Sequence, residues 1–175
     1  MINKSILLVS AISFAYLALG MGAEAIMAGP YNITVDLPGF NAVSSVGPIE
    51  GSDGVAYVSY MVGIAEGNNT TPSNDARRLI IDITKFKLPF DISNKDFLAA
   101  AYDGTAKKVY PGVAWDVKDQ VMIEGRLAAH RQNLTDGIHF ISYFANSNLK
   151  VTLGARNLTS EEFTKVMRTF HVQNA

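Results

Sequence analysis

From Tyr31 onward apolar and polar positions alternate: Tyr31, Ile33, Val35 and Leu37 are apolar, while Asn32, Thr34 and Asp36 are polar. Successive side chains of a strand point to opposite faces, so this period of two predicts a strand with one face on a core. Pro38-Gly39 ends it with turn chemistry. Two further strands are predicted at 55–64 and 78–86, the second with Leu79, Ile81 and Ile83 on one face. Gly51-Ser52-Asp53-Gly54 and Glu66-Gly67-Asn68-Asn69 bound the first of these, and the polar stretch 66–75 reads as a flexible loop.

After Pro89 the period lengthens. Ser93 is placed to cap a helix whose Phe97, Leu98, Ala101 and Tyr102 share one side, and Gly104 is expected to weaken or close it. Past the Pro111-Gly112 turn, short strands are predicted at 113–117, 121–123, 127–131, 138–144 and 149–155, joined by connectors of hairpin length. Thr159-x-x-Glu162 is a capping box, and Phe163, Val166, Met167 and Phe170 follow it at i, i+3, i+4, i+7. Antiparallel strands followed by a helix with an apolar stripe predict an α+β fold, an antiparallel β-sheet flanked by helices.

Upstream, Lys4 precedes an apolar run over 6–19, and Ala23-Glu24-Ala25 follows. A basic start, an apolar stretch and a small-x-small site form the pattern of an export signal, with cleavage expected after Ala25. Residues 1–25 are then a signal peptide and 26–175 a single domain, whose fold is expected to begin near Gly29-Pro30. The alternative is an uncleaved anchor, because the residues up to Ala23 lengthen the run towards the roughly 17–25 that span a bilayer. Either reading places the domain outside the cytoplasm, extracellular or in the cell envelope, with membrane contact only through an uncleaved N-terminal segment.

About 150 residues make one domain able to build its own core. It must do so by packing alone, because the chain has no cysteine. That absence also excludes a cysteine nucleophile, a thiolate zinc site and an iron–sulfur cluster. Lys and Arg number 15 against 16 Asp and Glu, with no basic block, which makes nucleic acid a poor partner. Outside the cell the N-x-[ST] triplets at Asn32, Asn68, Asn69, Asn133 and Asn157 become candidate glycosylation sites. Chance predicts roughly 1.4 such triplets, and a polar surface enriches them without any modification. All five are expected to be exposed.

The run MIEGRLAAHRQN…GIHFISYFANSNLKVTLGARNLTSEEFTKVMRTFHV resembles the end of PsbP-like and DcrB-like domains, in its I-x-G-x hairpin, its two long strands and its closing helix and tail. GPYNITVDLPGF is similar to the start of small exported proteins of methanogenic archaea. The resemblance implies an antiparallel sheet flanked by helices, a PsbP-like/DcrB-like sandwich, and the habit of serving as an accessory or binding module. It carries over no catalytic residue, and the stretch 41–111 has no counterpart in it.

Only His130, His139 and His171 offer neutral-pH acid–base chemistry. If 133–136 is a turn, His130 and His139 face each other across a hairpin, and with Asp136 they form a weak candidate for a two-His, one-carboxylate metal site. A cross-strand polar pair on a solvated face is the simpler reading. His171 reads as a helix-end residue favoured by the dipole. Asp116 and Asp119 read as a charged turn, and Asp53-Gly54 and Asp103-Gly104 lack the run of oxygen ligands that calcium needs. Arg77-Arg78 either contacts an anionic ligand or forms a solvated sheet edge that guards against strand pairing. No hydrolase elbow, zinc-protease helix, P-loop or dinucleotide glycine pattern is present, and no cofactor is implied.

Three functions follow from these readings. The leading one is an exported, non-enzymatic module that binds a protein or envelope component, with 85–131 as the candidate surface and Tyr102, Tyr110 and Trp115 as its aromatic contacts. The second is a small-ligand carrier with a cleft between sheet and helix. The third is a metal-dependent hydrolase centred on His130 and His139. The sequence gives no indication of oligomeric state.

Overall fold

A computed structural model of the protein describes residues 24–52, 55–67 and 76–175. Residues 1–23, which hold most of the expected signal segment 1–25, Asp53-Gly54 and the sequons at Asn68 and Asn69 lie outside the described residues. Among the described residues no helix is long and apolar enough to cross a membrane.

The architecture is α+β and almost wholly antiparallel. Strands β1 (Glu24–Ala28) and β2 (Tyr31–Val35) form a hairpin, and β10 (His171–Asn174) adds to the other side of β2, giving the order β1-β2-β10. The remaining strands, β3 (Phe40–Ser52), β4 (Ala56–Glu66), β5 (Arg78–Phe86), β6 (Val117–Ile123), β7 (Arg126–Asn133), β8 (Ile138–Asn146) and β9 (Leu149–Arg156), form a second sheet in the order β3-β4-β5-β9-β8-β7-β6. Two helices complete the fold, α1 (Lys95–Val109) and α2 (Ser160–Thr169).

One face of the large sheet carries the main core. Leu79, Ile81 and Ile83 of β5, Ile141 and Tyr143 of β8, and Val151, Leu153 and Ala155 of β9 meet Ile33 and Val35 of β2, Phe163 and Val166 of α2, and Phe170, which caps that helix. The small sheet and α2 together therefore cover this face. The opposite face carries a smaller cluster, in which Phe86 and Phe144 of the sheet pack with Phe90 and with Phe97, Ala101 and Tyr102 of α1. Phe90 sits at its centre, 4.9 Å from Phe86 and 5.0 Å from Phe97. Arg131 pairs with Asp103 at 2.9 Å, and the Lys150 ammonium donates to Thr105 Oγ1, which further fixes α1 to the sheet.

Several expectations are corrected. The fold does not begin at Gly29-Pro30, which is instead the turn of a hairpin whose first strand starts at Glu24. Strand β3 runs through a segment to which the sequence pattern assigned no element; it is an edge strand with two register shifts, where a proline lacking an N–H does no harm to the ladder. The strand expected at 113–117 does not form, since 113–116 is irregular, and the one expected at 121–123 starts earlier, as β6 from Val117. Asn94, not Ser93, caps α1, and Gly104 lies inside that helix without closing it. His171 opens β10 instead of ending a helix, held by a 3.1 Å contact of its Nδ1 with Glu124. The capping box of α2 is present as expected.

A candidate ligand groove beside helix α1

The two histidines do come together, but as part of the core. His130 is paired in register with Ile141, and His139 with Gln132, so they lie diagonally on one face instead of directly opposite. Their rings are 6.3 Å apart and nearly parallel, and both stack on Phe163 of α2. Imidazole lone pairs lie in the ring plane, so stacked rings do not converge on a metal ion. His130 Nδ1 contacts Asp119 at 2.7 Å, and His139 Nε2 donates to the Leu158 carbonyl at 3.1 Å. Burial, aided by the neighbouring His130, pushes His139 below its ordinary pKa. Asp136 stays exposed at the hairpin tip, and among the described residues no group of three potential ligands forms. The two-His, one-carboxylate site is not assembled.

The expected exposure of the sequons fails at Asn133. It is 7% exposed, with its Nδ2 donating to the Ala114 carbonyl and its Oδ1 accepting from the Asp136 N–H. Both ends of the amide are used locally, which removes it as a glycan acceptor. Asn32 and Asn157 are half-buried. Of the aromatic contacts expected over 85–131, Tyr102 is buried, while Tyr110 and Trp115 are half-buried, Trp115 lying between Tyr110 and Phe140, 5.8 and 6.2 Å away. Asp103 and Asp116 serve the fold, Asp103 pairing with Arg131 and Asp116 accepting the Leu134 N–H at 2.7 Å.

What the sequence does not reveal is a groove. Helix α1 covers β7 and β8 but leaves β4 and β5 bare on the same face, and the space beside the helix forms two chambers. The larger, about 510 Å³, lies between the aromatic cluster and a wall of Ile49, Tyr57, Ser59 and Met61. The smaller, about 400 Å³, is lined by Arg78, Ile80, Tyr110, Gly154 and Arg156. Met61, Asp82 and Val109 border both, so the two adjoin. Ile49, Ile80 and Val109, three of the exposed large apolar side chains, all line this groove.

Its floor follows from strand register. Side chains of β5 at even positions face the groove, and β9 supplies their neighbours: Arg78 beside Arg156, Ile80 beside Gly154, Asp82 beside Thr152 and Thr84 beside Lys150. Asp82 accepts hydrogen bonds from Ser59 and Thr84, both at Oδ1. Lys150 stands 5.7 Å over the Phe86 ring. Tyr110, the residue that ends α1, reaches across the floor, and a Cβ on Gly154 would lie 2.7 Å from its hydroxyl. Burial raises the Tyr110 phenol pKa, and Arg156 and Arg78 draw it partly back.

Arg77 and Arg78 separate. Arg77 forms ion pairs with Glu66 and with Glu162 and stands 5.4 Å over Phe40, serving to tie β4 to α2. Glu162 is held down to a pKa of about 2, chiefly by its hydrogen bond from Arg77. Arg78 turns into the groove. The solvated-edge reading fails for it, because β5 lies inside the sheet between β4 and β9. Sequence reasoning missed Arg156 and Gly154 altogether; a glycine inside a strand is a readable signal of close approach, and Gly154 is one.

No family model, curated protein or solved structure matches the chain. The likeness to PsbP-like and DcrB-like domains therefore rests on the motif residues alone.

Proposed function

We propose that the chain is an exported, non-enzymatic binding module of the cell envelope that carries a small molecule in the groove between α1 and the large sheet. The observation that carries this reading is the pair of adjoining chambers of about 510 and 400 Å³ on a face that α1 covers only in part. Ligand sites commonly span roughly 300–1,000 Å³ and combine apolar walls with a few polar groups. Here the walls are Phe86, Phe90, Phe97 and Phe144, and the polar groups come from the floor of β5 and β9. The leader-like N-terminus supports export, and the PsbP-like resemblance supports an accessory role.

The test is native mass spectrometry of protein recovered from its own host, alongside Gly104→Trp. Gly104 lines the larger chamber, and a side chain there meets no atom within 4 Å of its Cβ, so the indole can fill the groove without breaking the fold. A co-purifying small molecule that the variant loses is the expected result. A folded parent that brings down only a protein partner, equally retained by Gly104→Trp, would return the function to protein docking.

A further inference from the structure

The lining of the groove is charged in a way that the rest of the chain is not. Overall the protein carries a formal charge of −1. Among the described residues that line the groove, Arg78, Arg156, Lys108 and Lys150 stand against the single carboxylate of Asp82. Lys150 is occupied with Thr105 and Phe86, and Asp82 with Ser59 and Thr84. The two arginines differ. They are direct cross-strand neighbours, half-buried, and neither makes an ion pair or side-chain hydrogen bond with a described residue. Like charges directly opposite each other on a sheet destabilise it, and partial burial strengthens that repulsion. The C-terminal end of α1, negative by its dipole, lies at the same place and offsets only part of the cost.

Tyr110 adds a third donor. Its hydroxyl makes no hydrogen bond to a described residue, although its ring sits over Gly154 between the strands that carry the two arginines. Arg78, Arg156 and Tyr110 are half-buried, so an incoming group can reach them, and guanidinium groups match the paired oxygens of carboxylate and phosphate. Three donors without acceptors therefore share one chamber, beside the apolar side chains of Met61, Ile80 and Val109.

We propose that Arg78, Arg156 and Tyr110 form an oxyanion-binding site, taking the carboxylate or phosphate head of a ligand whose apolar body lies along the groove towards Phe86 and Phe97. This rests on the carrier reading above for the body of the ligand, but the head site stands on the arginine pair. The groove discriminates by charge at one end and by apolar area at the other, so neither a simple anion nor a neutral alcohol satisfies both.

The full chain is titrated with four probes, inorganic phosphate, octanoate, octyl phosphate and octanol, and read by calorimetry and thermal melting. Parent protein is compared with Arg78→Gln, Arg156→Gln and Gly104→Trp. Octanoate or octyl phosphate is expected to bind at least tenfold more tightly than octanol or inorganic phosphate, and whichever of the two is tighter identifies the head group. Each glutamine variant is expected to lose that advantage while melting no lower than the parent, since it relieves a like-charge contact. If octanol binds as well as octanoate and only Gly104→Trp abolishes both, the groove stands and the oxyanion site falls. If the charged probes bind and lose affinity only in the arginine variants, the head site stands and the carrier groove falls. Absence of binding by every probe overturns both.

Discussion

His139 lies face to face with Phe163, their ring centroids 4.5 Å apart, so a titratable side chain from the large sheet is sealed under helix α2. It stays neutral there, donating Nε2–H to Leu158. Its folded pKa is lowered from 6.5, chiefly by burial, so the unfolded chain takes up the proton first. Stability should therefore be flat with respect to this group above about pH 6.5 and fall as the pH drops below it. His139→Gln keeps a donor for the Leu158 carbonyl and cannot charge. It is expected to reduce the slope of unfolding free energy between about pH 6.5 and pH 5, measured by urea denaturation. Equal slopes in parent and variant would absolve His139.

Phe170 is 1% exposed and closes the main core where α2 ends. Phe170→Ala should cost about 3–5 kcal/mol, from lost burial and the cavity left behind. Chemical denaturation is the measurement, and a loss below about 1 kcal/mol would mean that the end of α2 is loosely held.

Gly104 sits in the middle of α1, exposed, with open space where a Cβ would go. Gly104→Ala should stabilise the protein by roughly 0.5–1 kcal/mol, because alanine loses less backbone entropy in a helix. A destabilised variant would indicate that the groove closes on this position.

Gly154→Ala would push the Tyr110 hydroxyl aside, since the new methyl falls 2.7 Å from it while the ring's free end can swing. Melting temperature is expected to change little, and octanoate or octyl phosphate to bind several-fold more weakly. Unchanged affinity would remove Tyr110 from the head site while leaving the arginines in it.

Asn133 should carry no glycan in protein recovered from its host, whatever the state of the other sequons. Its side chain holds the 113–116 segment to the end of β7, and a sugar there would require that segment to unpack. Glycopeptide mass spectrometry decides the matter.

Where one face of an element is wet and the other dry, the sequence announced it. The period of Tyr31, Ile33 and Val35 marked β2, Leu79, Ile81 and Ile83 marked β5, and the stripe after the Thr159 cap marked α2. Strand β3 was illegible because an edge strand with bulges needs no apolar alternation. Strand β10 was illegible because four residues carry too short a period to detect. The His130–His139 meeting was foreseeable from the hairpin, but its register was not, and a shift of two residues turned a facing pair into a diagonal one. The groove was least accessible of all. Arg78 and Arg156 become neighbours only through the pairing of β5 with β9, a long-range contact that no local pattern encodes.

Strand β2 holds β1 on one flank and β10 on the other, which brings the first and last described strands to the same small sheet. That sheet packs on one face of the large sheet, and the groove opens on the other. Glu24 and Asn174 therefore both lie on the side of the large sheet away from the groove. Held to a surface at either of those points, the domain would stand with the groove turned outward, unobstructed by its own attachment. The same geometry suits immobilisation: a tag ahead of β1 or after β10 can anchor the protein to a sensor while leaving Arg78 and Arg156 open to solution.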